Sequence, residues 1–102
     1  MMTLTKQDIL RRVEENRSQI KEYGIRRIGL FGSYVKDKQR RRSDVDILVE
    51  FESGMKTFDN YMGLKFFLED LLECKVDLVI SEALKPQIRP YIMREVEYAK
   101  GL

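Results

Sequence analysis

The sequence predicts an α/β or α+β domain that is built on a small sheet. Three apolar segments bounded by turn residues lie among longer segments of helical periodicity. Their order is helix, strand, short turn, strand, helix, strand, helix, without an internal repeat or a linker. We expect these elements to form one domain over residues 1–102.

The first helix is predicted from about Thr5 to about Tyr23. Thr5 and Asp8 form the pattern of a capping box, and apolar residues follow at helical spacing among charged ones. Gly24 is expected to end this helix in the left-handed conformation.

Three strands follow from the remaining apolar runs. The run IRRIGLF predicts a strand over 25–31, after which Gly32-Ser33 is expected to begin a short helical turn. The run SDVDILVEF alternates between apolar and mostly polar positions and predicts a strand over 43–51. The run KVDLVI predicts a third strand over 75–80.

Two further helices complete the predicted architecture. Thr57 is expected to cap a helix over about 58–73 that is apolar on more than one side. This breadth favours a core helix and leaves room for contact with a partner. After a break at Pro86, a last helix is predicted over about 87–100. Its expected buried stripe is Ile88, Ile92, Val96 and Ala99.

The composition excludes several kinds of site. The chain has no histidine, which removes Ser-His-Asp and Cys-His nucleophilic sites and any imidazole base. With a single cysteine, Cys74, a structural zinc site and an internal disulfide are also out of reach. The sequence shows no transmembrane run and no secretory signal. We therefore expect a cytoplasmic protein without a membrane partner.

Charge is concentrated in one loop. The net charge of +2 is too small to predict nucleic acid as the main partner. Five of the residues from 36 to 42 are basic: Lys36, Lys38, Arg40, Arg41 and Arg42. Asp37 is the single acid among them. A solvated loop and a loop that attracts a triphosphate or an acidic partner both fit this run.

Three aspartates have the spacing of a cation site. Asp44 and Asp46 lie one residue apart on a strand, so both project to the same side. Two unpaired carboxylates repel each other, and all-oxygen ligands suit Mg²⁺ or Mn²⁺. Asp77 occupies the matching place on the third strand and joins the pair if the two strands are neighbours. Such a cluster suits phosphoryl or nucleotidyl transfer, and Gly32-Ser33 can offer a hydroxyl and N–H groups to phosphate oxygens.

The combined motif resembles that of a known superfamily. Gly32-Ser33, followed after ten residues by Asp44 and Asp46 and later by Asp77, is similar to the motif of the polymerase β-type nucleotidyltransferases. Within that superfamily the chain resembles the minimal nucleotidyltransferases, the short partners of HEPN proteins in prokaryotic toxin–antitoxin pairs. The resemblance covers nearly the whole chain. It implies a polymerase β-like core with a small mixed sheet of about three strands flanked by helices.

The resemblance also implies which residues bind the nucleotide. Gly32 and Ser33 would hold the β- and γ-phosphates of ATP, with Lys36 beside them. Many relatives have Ala-Arg-Gly after the Gly-Ser-aromatic segment, whereas this chain has Val35, Lys36 and Asp37. Lys36 keeps the positive charge, and Asp37 replaces a glycine.

The implied catalytic residues are the three aspartates. Asp44 and Asp46 would bind Mg²⁺ or Mn²⁺, with Asp77 completing the metal site. Asp77 would also act with the metal to activate an incoming hydroxyl. The products would be a nucleotidylated acceptor and pyrophosphate.

The resemblance finally implies a partner. The acceptor would be a tyrosine of a cognate HEPN ribonuclease toxin, which AMP transfer would silence, and the two proteins would form a hetero-oligomer. The short chain supports a protein acceptor, because nearly all its residues are used by the nucleotide-binding core. Two alternatives stay open: a binding antitoxin of the same fold without turnover, and an enzyme acting on a small molecule or an RNA end through the basic loop.

Overall fold

The computed structural model describes residues 4–36 and 44–102. The helices are α1 (Lys6–Glu15), α2 (Arg17–Lys21), α3 (Phe58–Leu72) and α4 (Arg89–Glu95). The strands are β1 (Ile25–Phe31), β2 (Val45–Phe51), β3 (Val76–Ile80) and β4 (Glu97–Tyr98). Two short 3₁₀ turns follow β1 and β3, at Gly32–Tyr34 and Ser81–Ala83. Within these residues, no helix is both long and apolar enough to cross a lipid bilayer.

The strands form one mixed sheet in the order β3-β2-β1-β4. β1 is antiparallel to both β2 and β4, whereas β2 and β3 are parallel. The predicted mixed sheet flanked by helices is confirmed, with four strands in the described residues rather than about three. The register places Phe31 opposite Asp46, and Asp46 opposite Asp77. The end of β1 and the starts of β2 and β3 therefore meet at one end of the sheet.

The first helix begins as predicted and divides into two. The Thr5 hydroxyl accepts from the Asp8 N–H at 3.1 Å, and the Asp8 carboxylate accepts from the Thr5 N–H at 3.0 Å. Asn16 interrupts the predicted continuous helix, because its φ of −113° and ψ of 20° are not helical. Its side chain donates to the Arg12 carbonyl at 2.8 Å, the kind of local bond that competes with helix continuation. Gly24 closes the segment at φ +80°, as predicted.

The core lies between the sheet and the first three helices. α1 and α2 pack against β1, and α3 packs against β3. β2 is a central strand, and even Leu48 on its polar side is fully buried. Helix α3 buries residues at helical spacing and leaves Phe58 and Phe66 exposed. The main buried side chains are Ile9, Val13, Ile20, Ile28, Leu30, Val45, Ile47, Val49, Leu64, Leu68 and Leu72.

The predicted last helix is present, but its predicted extent over 87–100 is wrong. Helix α4 ends at Glu95, and Val96 is already extended at φ −63° and ψ 135°. The chain then runs along β1 as β4, and the Ala99 N–H donates to the Ile28 carbonyl at 2.9 Å. Of the predicted buried stripe, Ala99 is buried as expected, whereas Ile88 is 46% exposed. The free edge of β1 offers hydrogen bonds that outweigh the local helical pattern, and a pattern in sequence does not reveal such an edge.

Gly29 makes the β4 pairing possible. A Cβ at this residue would lie 2.6 Å from Val96 Cγ2 and 3.0 Å from Tyr98 Cδ1. Only glycine lets the last segment approach β1 this closely.

The outer edge of β3 is covered by side chains of α3. The Tyr61 hydroxyl donates to the Leu78 carbonyl at 2.6 Å. The Glu69 carboxylate accepts from the Val76 N–H at 3.1 Å and pairs with Lys65 at 2.9 Å. These bonds satisfy backbone groups that an edge strand otherwise leaves open.

Replacement of Tyr61 by phenylalanine tests this cover. Tyr61→Phe leaves the Leu78 carbonyl without its partner and should lower the free energy of unfolding by about 1 kcal/mol. Urea unfolding measures the change, with Tyr91→Phe as the control because Tyr91 is 66% exposed. Equal stability of the two variants would contradict the role of the Tyr61 hydroxyl.

Candidate active site

The turn after β1 is held against the start of β2. Gly32 adopts φ +79°, and a Cβ at this residue would overlap the carboxylate of Asp46. The Lys36 N–H donates to the Gly32 carbonyl at 3.2 Å and closes the turn. Tyr34 is 4% exposed and anchors the turn in the core, while Ser33 is half-buried. Glycine at residue 32 is thus required both by the backbone conformation and by the nearby carboxylate.

The structure brings the predicted aspartates to the same end of the sheet. Asp46 on β2 is half-buried and lies beside Asp77 in the parallel register of β3. Asp44 and Asp77 are exposed. Burial raises the pKa of Asp46 from 3.8 to about 6, and the charge of Asp77 and a hydrogen bond with it add to this shift. The charges of Asp44 and Glu95 raise it further.

These carboxylates fit a hard divalent cation by their chemistry. Within residues 4–36 and 44–102, no three carboxylate or thiol groups converge on a common cation position. Asp46 and Asp77 nevertheless form a close like-charged pair, and a cation between them would relieve the repulsion that raises the Asp46 pKa. Their oxygens suit Mg²⁺ or Mn²⁺. Asp44, whose charge also acts on Asp46, is the third residue that could contribute a ligand.

The predicted nucleotide-binding residues have an acidic neighbour that the sequence did not reveal. Glu95 accepts from the Gly32 N–H at 3.1 Å and pairs with the Lys36 ammonium at 3.2 Å. The sequence prediction placed Glu95 inside a long helix, without any relation to the turn. The pairing of β4 with β1 brings it there, and no local pattern in the sequence indicates that pairing.

An open groove of about 530 Å³ lies beside Asp77. It is lined by Asp44, Lys65, Glu69, Cys74, Lys75, Val76 and Asp77. Burial, together with the charge of Asp44, raises the pKa of the Cys74 thiol, so the thiol stays protonated at neutral pH. The groove therefore offers charged groups and open space next to Asp77 rather than a thiolate nucleophile.

Most of the predicted basic loop lies outside the described residues. Lys36 is described, and it is exposed. The remaining members of the run are outside: Asp37, Lys38, Arg40, Arg41 and Arg42. Their attraction for a triphosphate or an acidic partner stays a prediction.

The fold, the turn and the aspartates together define a class of protein. The chain belongs to the nucleotidyltransferase domain family, whose sequence profile matches residues 9–99. Within it, the chain is a homologue of the protein adenylyltransferase MntA of Thermococcus cleftensis. The two are 39% identical over 99 residues, which cover 96% of this chain and 99% of the relative. A candidate protein adenylyltransferase of Methanocaldococcus jannaschii is 42% identical over 88% of this chain and 86% of its own length.

Solved structures confirm the expected fold. A candidate minimal nucleotidyltransferase matches with a TM-score of 0.81 at 33% identity, over 95% of this chain and 98% of that chain. A tri-AMPylated HEPN toxin in complex with an MNT antitoxin, from Shewanella oneidensis, matches with a TM-score of 0.63. That match is 20% identical, covers 91% of this chain and 73% of that chain, and shows the fold alone. A toxin–antitoxin with AMP-PNP matches with a TM-score of 0.68 at 24% identity, over 87% of this chain and 73% of that chain. This match likewise shows the fold alone.

The raised pKa of Asp46 predicts a particular dependence of stability on pH. The folded chain holds the Asp46 proton more tightly than the unfolded chain, so ionisation of Asp46 destabilises the fold. The contribution of Asp46 to stability should fall as pH rises from 3.8 to about 6, and this loss should persist at pH 7. Asp46→Asn removes this loss and should raise the free energy of unfolding at pH 7 by up to about 3 kcal/mol.

Denaturant unfolding between pH 4 and 7, with a chelator present, measures this effect. Asp70→Asn is the matched control, because Asp70 is exposed on α3. The curve for Asp46→Asn should diverge upward from that of the wild type as pH rises. If stability changed with pH in the same way in Asp46→Asn and the wild type, ionisation of Asp46 would not destabilise the fold.

Proposed function

We propose that the chain is an antitoxin that transfers AMP from ATP to a tyrosine of a cognate HEPN-family toxin and thereby neutralises it. The observation that carries this proposal is the direct packing of Gly32 against Asp46, which itself lies beside Asp77. A turn suited to phosphate thus adjoins carboxylates suited to a cation. Homology to protein adenylyltransferase MntA supports a protein as the acceptor.

The turn would hold the triphosphate. Ser33 offers its hydroxyl and N–H to the β- and γ-phosphates, and glycine at residue 32 lets the backbone come close. The Lys36 ammonium lies at the end of the same turn and adds positive charge. Such donors stabilise pyrophosphate as it leaves.

Asp44, Asp46 and Asp77 would hold Mg²⁺ or Mn²⁺. When bound, the cation offsets the negative charge of the triphosphate and of the pyrophosphate. Asp77 borders the open groove and lies in register with Asp46, so a cation held by this pair would adjoin the groove.

Asp77 would receive the proton of the acceptor. A tyrosine hydroxyl has a pKa of about 10, so it needs help to attack at neutral pH. Asp77 is exposed and borders the groove, where a tyrosine of another protein can enter. The tyrosine oxygen bonds to the α-phosphorus, the bond from that phosphorus to its bridging oxygen breaks, and pyrophosphate leaves. The tyrosine proton passes to Asp77.

Residues 1–102 would form one minimal nucleotidyltransferase domain that acts in the cytoplasm, where ATP is available. The toxin and the antitoxin would associate as a hetero-oligomer, with the HEPN protein supplying the acceptor tyrosine. A binding antitoxin without turnover is the second candidate. In that case the Glu95 carboxylate, which accepts from the Gly32 N–H, would occupy one amide of the turn in place of a phosphate.

Transfer of AMP can be followed by intact-mass spectrometry of the co-encoded HEPN protein. Incubation with the wild-type chain, ATP and Mg²⁺ should add whole AMP units to the toxin. Asp77→Ala should slow the transfer by about 10²-fold or more, since it removes the proton acceptor and a metal ligand. Ser33→Ala should slow it by about tenfold.

Asp70→Ala is the control and should transfer AMP at the wild-type rate. Both active-site variants should still associate with the toxin. A toxin that is neutralised equally well by Asp77→Ala, with no gain in mass, would favour the binding antitoxin instead.

Cation binding can be tested without the toxin. ATP with Mg²⁺ at about 100 times its dissociation constant should stabilise the wild-type chain by about 2.7 kcal/mol and raise its melting temperature. Asp46→Asn should lose most of this shift, whereas Asp70→Asn should keep it. An unchanged shift in Asp46→Asn would remove Asp46 from the cation site.

A further inference from the structure

Glu95 lies beside the turn because of the register of β4. β4 pairs with β1 so that Tyr98 faces Gly29 and Glu97 faces Leu30. Continuing this antiparallel pairing by two residues brings Glu95 alongside Gly32. Asp46 lies on the other side of the same turn, since β2 pairs with the opposite edge of β1. Gly32 is therefore enclosed between two carboxylates.

The Glu95 carboxylate connects both ends of the turn. One oxygen accepts from the Gly32 N–H at 3.1 Å, and the other pairs with the Lys36 ammonium at 3.2 Å. The side chain is 21% exposed, so water only partly weakens these contacts. The backbone bond from Lys36 to Gly32 completes a closed set of three interactions around one turn.

The Glu95 carboxylate also takes the place of a backbone carbonyl as the acceptor for the Gly32 N–H. The Gly32 N–H continues the edge of β1 that faces β4, and a half-buried N–H needs an acceptor. The described ladder between β1 and β4 ends at Leu30, so the main chain of β4 does not reach Gly32. Glu95 supplies the missing acceptor from its side chain and ends the ladder at the point where the turn begins.

We propose that Glu95 is a positioning residue for nucleotide binding, which holds the turn against Asp46 and keeps Lys36 at its end. This inference rests on the proposed function of the same site. Because the Gly32 N–H is committed to Glu95, the contacts with phosphate pass to Ser33 and Lys36. Gly32 then supports the turn and does not donate a hydrogen bond to phosphate. Its orientation depends on Glu95, which lies 63 positions further along the chain.

A competing role for the same contact has the opposite consequence. If Glu95 instead blocked the turn in place of a phosphate, its removal would free an amide and a lysine for ATP. Removal would then strengthen ATP binding. A positioning role predicts weaker binding, because the turn loses its fixed orientation and must be ordered when the nucleotide arrives.

Two substitutions of Glu95 separate its hydrogen bond from its charge. Glu95→Gln keeps an oxygen that accepts from the Gly32 N–H, whereas Glu95→Ala removes it. Glu97→Ala is the matched control, since Glu97 pairs with Lys6 at 2.9 Å and its loss also breaks a lysine–carboxylate pair near β4. Melting temperatures establish that each variant is folded.

The first readout is hydrogen exchange of the Gly32 amide in the free protein. Glu95→Ala should exchange this amide about tenfold faster than the wild type, while Glu95→Gln and Glu97→Ala should protect it. The second readout is the dissociation constant of ATP with Mg²⁺, measured by calorimetry. Glu95→Ala should bind about tenfold more weakly, and Glu95→Gln within about threefold of the wild type.

The two readouts distinguish the possible failures. Tighter ATP binding by Glu95→Ala, or equal losses in Glu95→Gln and Glu95→Ala, would overturn the positioning role. Unchanged exchange at Gly32 in Glu95→Ala would overturn the contact on which it rests. A wild-type chain that fails to bind ATP would overturn the proposed function itself, even where Glu95 protects the Gly32 amide.

Discussion

The row formed by Phe31, Asp46 and Asp77 across three neighbouring strands is the constraint on which the site depends. The antiparallel pairing of β1 with β2 and the parallel pairing of β2 with β3 create this row. A slip of one residue by β2 would turn Asp46 to the opposite face of the sheet, and a slip of one residue by β3 would do the same to Asp77. The buried side chains of Val45 and Ile47, which flank Asp46, oppose such a slip.

The register places two carboxylates, those of Asp46 and Asp77, side by side, which is electrostatically unfavourable. Asp46 is half-buried beside Asp77, and its pKa of about 6 records how unfavourable its ionised form is without a cation. The surrounding fold keeps the strands in register because central strand β2 is buried along most of its length. A cation stabilises a half-buried carboxylate beside a like charge more than it stabilises a solvated carboxylate. Such an unfavourable arrangement is expected at a binding site before its ligand arrives.

The sequence predicted the parts of the molecule that depend on local pattern. Apolar runs between turns located β1, β2 and β3, and the spacing of Gly32-Ser33 with the aspartates located residues that the fold brings to one end of the sheet. The family was also predicted and is confirmed by the profile match to residues 9–99. The individual roles of the aspartates remain predictions.

The failures have a common physical cause in long-range pairing. Residues 97–98 carry a helical pattern but form a strand, because the edge of β1 offers them hydrogen bonds. Without that strand, nothing in the sequence connects Glu95 with Gly32. Asn16 is a smaller case, in which a side-chain bond to the preceding turn outweighs a continuous helical pattern. Periodicity reports only the preference of a segment by itself, whereas the conformation of these segments is set by hydrogen bonds to another strand or to the preceding turn.

The covered edge of β3 limits how another protein can approach this end of the sheet. An extended tail could lengthen the sheet only after displacing Tyr61 from the Leu78 carbonyl and Glu69 from the Val76 N–H. Sheet growth by strand addition, the usual route from an exposed edge to aggregation, is therefore opposed beside Asp77. A polypeptide that reaches Asp77 is expected to arrive as a folded surface presenting one side chain to the groove, so recognition would depend on shape and charge rather than on main-chain pairing.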